Sequence, residues 1–313
     1  MEKEYWLSMN DLTPIYVKTW FNSNRRPKAI IQLSHGMTEH INRYQDFATV
    51  LVENGFDVYG NDHRGHGKTG DRHGLMGFFS EQDGFSKTTD DLHVITRHIK
   101  QAHPDIPIYI LGHSMGSFLV RHYIQMHSRD VDGVILLGTG YTPKLLVSIA
   151  KTISKRLPAK DASSFMNQLV FGNFNNRIFR HKTPFDWLSR DNHAVQKYID
   201  DMYCGFIPTG RFFYDLMTGL EYIQSNAANQ TIRPDLPIMI MSGDADPVGQ
   251  HGAGIWKTAR IFQGVGVQHV KVQIYHGARH ELLHETNKKQ VYKDILEWVN
   301  ENVQTIMLDD NIG

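Results

Sequence analysis

One cysteine, Cys204, occurs in 313 residues. No intrachain disulfide is therefore possible, and a disulfide-stapled scaffold is excluded. The composition suits a reducing compartment, and a cytoplasmic location is expected. Charge of one sign is not in excess either, since Lys+Arg and Asp+Glu both number 33. That balance leaves no basic footprint for nucleic acid and no strongly anionic surface. No apolar run approaches the roughly twenty residues of a membrane-spanning helix. Met1-Glu2-Lys3-Glu4-Tyr5-Trp6 is not a basic segment followed by an apolar stretch, so no secretory leader is predicted. Internal repeats and low-complexity segments are missing too. What is there is 41% hydrophobic, enough for a substantial core, in a length ordinary for one α/β domain with an insertion.

The pattern along the chain begins with a predicted hairpin, Glu4–Met9 and Ile15–Trp20, joined by the turn-rich Asn10-Asp11-Leu12-Thr13-Pro14. Buried-type strands are then predicted at Ala29–Leu33, Gly55–Gly60, Pro107–Leu111 and Val131–Gly138. Helical periodicity falls between them, from about Tyr44 to Asn54 and from Thr88 to Ala102. Strands alternating with helices imply a mostly parallel sheet covered on both faces. The rhythm stops from Tyr141 to about Arg233, where several amphipathic helical stretches replace it. It resumes with strands at Pro237–Gly243 and Val270–Tyr275, a helix near Ala253–Phe262, and a last helix to about Val303. The expected organisation is a core of residues 1–140 and 234–313, with a helical cap, 141–233, inserted after one strand.

Gly112-His113-Ser114-Met115-Gly116 fits G-x-S-x-G between a predicted strand and a predicted helix. A serine on that turn is held in strained backbone with its hydroxyl clear of the sheet edge, the nucleophile elbow of the α/β-hydrolase fold. Glycines on both sides make the turn sterically possible. A serine hydroxyl needs a base to take its proton, usually a histidine oriented by a carboxylate. In this fold the acid and then the base follow the serine along the chain. Asp244 and Asp246 follow the strand ending at Gly243, and His276 and His280 follow the strand ending at Tyr275. Asp246 is preferred because two further residues carry it out into the loop, while Asp244 is read as bonding its own loop backbone. His280 is preferred because His276 lies too close to its strand end to reach across. Two amides must meet the oxyanion. Met115, after the nucleophile, offers one. Met37, in Ser34-His35-Gly36-Met37 after the Ala29–Leu33 strand, offers the other.

These segments resemble a known family. His35-Gly36-Met37-Thr38-Glu39-His40 followed by Arg43-Tyr44 is similar to the H-G-x-x-E-H-x-x-R-Y segment of monoacylglycerol lipases and bacterial lysophospholipases. Asp62-His63-Arg64-Gly65-His66-Gly67 resembles their D-x-R-G-H-G loop, and Gly112–Gly116 matches their G-H-S-M-G. Asp186-Trp187-Leu188-Ser189-Arg190-Asp191 is similar to a segment of bacterial members. Gly243–Asp246 resembles the G-x-x-D acid loop, and Arg279-His280-Glu281 the R-H-E base loop. The resemblance spans nearly the whole chain. It implies a serine hydrolase acting on single-chain lipid esters and supports Asp246, His280 and Met37 in their roles.

The cap carries Leu145, Leu146, Ile149 and Ile153 at helical spacing among Lys144, Lys151, Lys155 and Arg156. Two readings fit: a basic amphipathic helix touching a lipid surface, or a cap helix packed on the body with solvated lysines. Phe165, Met166, Phe171, Phe174 and Phe179 either line an acyl tunnel or belong to the core. His280-Glu281-Leu282-Leu283-His284 also fits H-E-x-x-H, which on a helix would bind zinc with Glu297 or Glu301 as third ligand. That is the distant alternative, because His280 already has a place in the triad. Glu281 and His284 are read instead as helix-start residues contacting the Glu39 loop. A non-catalytic binding protein of this fold would typically lack a triad member, and this chain lacks none. The expected protein is a serine carboxylester hydrolase with a small lipid ester as substrate, needing no cofactor or metal. A short-chain esterase, an amidase or a peptidase is the alternative.

Overall fold

The computed structural model describes residues 1–309, with side chains through residue 305. Strands β1 (Glu2–Ser8) and β2 (Pro14–Trp20) form the hairpin, with Tyr5 opposite Val17. Then come β3 (Ile30–Ser34), α1 (Gln45–Glu53), β4 (Asp57–Asn61), α2 (Gly67–His73), α3 (Gly84–Ala102), β5 (Ile108–His113), α4 (Met115–His127) and β6 (Gly133–Leu137). The next stretch holds α5 (Lys144–Ser154), α6 (Ser164–Phe171), α7 (Asn192–Asp200), α8 (Gly210–Ile223) and the short α9 (Asn226–Asn229). The chain then closes with β7 (Ile238–Gly243), α10 (Ala253–Gly264), β8 (Val270–Tyr275) and α11 (Lys288–Asp309).

The eight strands make one sheet in the order β1-β2-β4-β3-β5-β6-β7-β8. From β4 to β8 every pairing is parallel, and the first hairpin adds antiparallel strands at one edge. Strand side chains alternate between faces. Ile30, Ile108, Ile110, Val134 and Ile238 accordingly pack with α3, α4 and α10. Ile31, Tyr109, Leu111, Ile135 and Met239 pack on the other face with α1 and α11. The sheet is thus covered on both faces, as the apolar runs predict.

Winding reverses between β3 and β5. In open α/β sheets the crevice outside the carboxyl ends of the strands at such a point is where ligands sit. Ser34 pairs with Gly112 there, at the ends of both strands.

The structure differs from the sequence reading in one helix start and one unread helix. α3 begins at Gly84, a turn before the predicted Thr88, because Asp83 takes a left-handed conformation (φ 53°) and starts the helix there. α2 was not predicted, because its sequence, Gly-Lys-Thr-Gly-Asp-Arg-His, has no apolar period. Part of the 141–233 insertion joins the core. Phe212 and Phe213 of α8 are fully buried and belong to the same cluster as α3 and α4.

Candidate active site

Ser114 sits between β5 and α4 at φ 52° and ψ −121°, a left-handed conformation that non-glycine residues rarely adopt. Its N–H donates to the Leu137 carbonyl at 2.9 Å, which pins the turn to β6. A Cβ at Gly116 would stand 2.0 Å from the Ser34 carbonyl oxygen, and one at Gly112 would stand 2.4 Å from the Gly116 oxygen. The elbow therefore depends on both glycines. A Cβ at Gly36 would lie 3.2 Å from the Ser114 Cβ, so the loop after β3 runs directly against the serine. Among the described residues, the N–H groups of Met37 and Met115 have no acceptor, leaving two amide donors beside Ser114.

Asp246 and His280 meet although 34 residues separate them, with the His280 Nδ1 at 3.0 Å from Asp246 Oδ1. The same oxygen accepts the Val248 N–H at 2.8 Å, and Oδ2 accepts the Ser242 hydroxyl at 3.1 Å. Both side chains are almost fully buried. A carboxylate only accepts, so Nδ1 is the donor in this pair, and Nε2 is the ring nitrogen not engaged by Asp246. Ser114, Met37, Met115 and His280 line one cavity of about 860 Å³. Among the described residues no hydrogen bond joins Ser114 to His280. Such bonds are often long before substrate binds.

The alternatives in the same loops lie elsewhere. Asp244 accepts the Gly277 N–H at 2.6 Å and pairs with His276 at 2.8 Å, and the His276 side chain is fully exposed. Asp244 thus bonds the neighbouring loop, not its own backbone. His280-Glu281-Leu282-Leu283-His284 is not on an α-helix. His280 is in a loop and only Leu282–His284 form a 3-10 turn. Its two histidines belong to no converging group of three metal-ligand side chains among the described residues.

Glu281 does reach the Glu39 loop, and Arg43 makes the connection. Arg43 donates to both Glu281 oxygens at 2.5 and 2.7 Å and to Glu39 at 2.7 Å. Glu39 also accepts the Gly36 N–H at 2.6 Å, the Tyr44 hydroxyl at 3.0 Å and the His113 Nδ1–H at 3.0 Å. The loop after β3, the elbow and the His280 loop are thus fastened to one buried charge network. Burial pushes the Glu39 carboxyl up, but Arg43 and then His113 outweigh it and hold the group well below the usual carboxylate range. Burial lowers His113, and the Glu39 carboxylate more than reverses that.

Sequence reasoning missed Arg43 as the bridge, because its partner is 238 residues away. It also missed the work of the Asp186–Arg190 segment. The Trp187 and Leu188 carbonyls accept the His280 and Glu281 N–H groups at 3.4 and 2.7 Å. Arg279 donates to the Asp186 and Ser189 carbonyls, and Arg190 pairs with Glu285. The insertion is therefore bonded to the His280 loop.

The predicted apolar side chains sort themselves. Phe171 and Phe174 line the cavity, Met166 is core, and Phe165 and Phe179 are exposed. Leu146 and Ile149 of α5 line the cavity and are also about half exposed, at 56% and 48%.

Comparison with known proteins agrees with this architecture. The family model Hydrolase_4, described as serine aminopeptidase, S33, matches residues 25–287. The chain is 25% identical over 281 residues to the monoacylglycerol lipase of Mycolicibacterium smegmatis, covering 87% of this chain and 88% of that one. It is 27% identical over 308 residues to a monoglyceride lipase homolog of Monkeypox virus, covering 93% and 95%. Among solved structures, a highly thermostable carboxyl esterase from Bacillus coagulans, in complex with glycerol, superposes with a TM-score of 0.90. That pair is 28% identical, with 96% and 99% of the two chains covered.

Proposed function

The chain belongs to the Hydrolase_4 (serine aminopeptidase, S33) family, an α/β-hydrolase and serine hydrolase of lipase type, and on that premise we propose that it cleaves single-chain lipid esters, monoacylglycerols or lysophospholipids, through an acyl-enzyme. One observation carries the reading. An elbow serine, two unbonded amides and the histidine of a buried His–Asp pair line the same cavity, to which the insertion adds apolar side chains such as Leu146, Phe171, Phe174 and Trp187. Its volume of about 860 Å³ suits a molecule with a long acyl chain.

In this mechanism Ser114 Oγ attacks the ester carbonyl carbon, and His280 Nε2 takes its proton. Asp246 holds the ring and stabilises its charged form. The Met37 and Met115 N–H groups receive the developing oxyanion. The tetrahedral intermediate collapses, the C–O bond to the alcohol breaks, and His280 returns the proton to the departing oxygen. A water, deprotonated by His280, then cleaves the acyl-serine and restores the enzyme. The hydrolysis uses no metal or organic cofactor. Residues 141–233 act as the cap over this cavity, and the exposed apolar edge of α5 and α6 brings its mouth to the surface of lipid aggregates. Support for that contact comes from Leu145 at 70%, Phe165 at 59% and Leu169 at 50% exposure beside the lining residues Leu146 and Ile149.

The test is covalent labelling by a fluorophosphonate, read by intact mass, on wild type and Ser114→Ala. Wild type is expected to gain one adduct and the variant none, with ester turnover abolished and the fold intact. Substantial hydrolysis by Ser114→Ala would sink the reading. A chain-length panel of esters with matched amides then separates a lipid esterase from a short-chain esterase, an amidase or a peptidase.

A further inference from the structure

We propose that His40, Asp201 and Cys204 form a metal site of the zinc type that clamps the insertion to the loop after β3. The site stands apart from the hydrolytic chemistry and does not depend on it. His40 Nε2, Asp201 Oδ2 and Cys204 Sγ all lie within 4.8 Å of one another, and His40 Nε2 is 2.8 Å from Asp201 Oδ2. Nitrogen, carboxylate oxygen and thiolate are the donors that zinc accepts. Bonds of about 2.0–2.3 Å in a tetrahedron leave ligand atoms roughly 3.3–3.8 Å apart, so His40 Nε2 and Asp201 Oδ2 must part by about half an ångström while Cys204 Sγ is drawn in.

The backbone presents two of these ligands in advance. Asp201 and Cys204 are the ends of one tight turn, closed by the Cys204 N–H donating to the Asp201 carbonyl at 3.0 Å. Asp201 Oδ1 accepts the Tyr203 N–H at 2.9 Å, which fixes the carboxylate and leaves Oδ2 toward His40. The spacing, two residues between ligands across a tight turn, is that of the paired ligands in structural zinc sites. The third ligand comes from the core, where the Ile41 N–H is anchored on Asp62 Oδ1 at 2.8 Å. The Gly205 N–H donates to the Thr38 carbonyl at 3.0 Å, so the two segments are already aligned on either side of the cluster. Solvent reaches it from one flank, because the Asp201 side chain is 29% exposed. The nearby cation, Arg43, is engaged by Glu39 and Glu281. On binding, the Cys204 S–H bond gives its proton to solvent and the His40 ring moves its proton from Nε2 to Nδ1 through solvent exchange; the metal–sulfur, metal–nitrogen and metal–oxygen bonds form in place of the His40–Asp201 hydrogen bond, and water completes the coordination.

The single cysteine makes the test unambiguous. Chelator-treated full-length protein is titrated with Co²⁺ and read for the thiolate-to-cobalt charge-transfer band, and Zn²⁺ binding is counted by equilibrium dialysis. One equivalent with the band is expected for wild type, together with a higher unfolding midpoint in Zn²⁺. Cys204→Ser is expected to lose the band and the Zn²⁺-dependent rise in midpoint. Asp201→Asn, which keeps the turn's acceptor, is expected to weaken Zn²⁺ binding at least tenfold, with circular dichroism confirming its fold. A second cluster, His93, His127 and Asp130, has no sulfur and gives no such band, and His127→Gln is expected to leave the band unchanged. No band in wild type at stoichiometric Co²⁺, or unchanged affinity in Asp201→Asn, overturns the proposal.

Discussion

His66 shows how much of the fold is set by single side chains. Its ring is fully buried, with Phe79, Phe206 and Phe212 around it at centroid distances of 6.0, 5.4 and 5.7 Å. Nδ1 bonds the Arg64 carbonyl at 2.9 Å, and burial pushes the ring's pKa down to about 4. The unfolded chain, near 6.5, binds a proton that the folded state refuses. The stability from keeping this ring neutral is therefore present above about pH 6.5 and is lost as pH falls toward 4. Burial likewise pushes His63, in the same loop, down to about 3. In His66→Gln the acid-side slope of unfolding free energy is expected to shrink by up to one proton, about 1.4 kcal/mol per pH unit, in urea titrations between pH 6.5 and 4. Gly116 is constrained by space instead of charge. Its missing Cβ would collide with the backbone carbonyl of Ser34, which cannot swing aside without breaking β3. Gly116→Ala is expected to cost more than about 3 kcal/mol in the same assay, and to lose fluorophosphonate labelling in whatever fraction folds.

The elements of the site are held by groups that no local pattern reveals. Arg43, one turn past Glu39, bridges it to Glu281 in a site where all three side chains are 9% exposed or less. Arg43→Met leaves two buried carboxylates without their cation and is expected to cost about 3–5 kcal/mol in urea unfolding. The strands and most core helices were legible because each is one apolar run or one amphipathic period. The elbow was legible because its glycines, serine and flanking elements are contiguous. Ser114, Met37, Met115, Asp246 and His280 could be chosen from loop position, and they line or adjoin a single cavity. α2 lacked a period to read. The placement of α8 was hidden for a different reason. Phe212, Phe213 and Leu216 say that the helix is buried, but not that α3 and α4 are what bury it. Pairings across hundreds of residues, such as Arg43 with Glu281, depend on the completed sheet.

For the whole molecule, the proposed contact with lipid rests on exposed apolar side chains beside the cavity and not on charge. The sequence carries no net charge, and no helix among the described residues is long and apolar enough to cross a membrane. The apolar side chains left exposed on α5 and α6 sit beside the cavity lining. If that edge meets lipid, changing Leu145 and Phe165 together to Ser is expected to lower turnover of a vesicle-borne monoacylglycerol severalfold. Turnover of a short, freely dissolved ester should be unaltered, and equal loss on both substrates would argue against the contact. The bonds from the Trp187 and Leu188 carbonyls to the His280 loop have a consequence in time. If product release requires that segment to lift, the lift also breaks the backbone bonds of His280 and Glu281. In that case opening loosens the loop that carries the proposed base, and discharge and reaction alternate as phases of one cycle. A compound wedged beneath Trp187 would then halt the cycle in its idle phase without ever touching the serine.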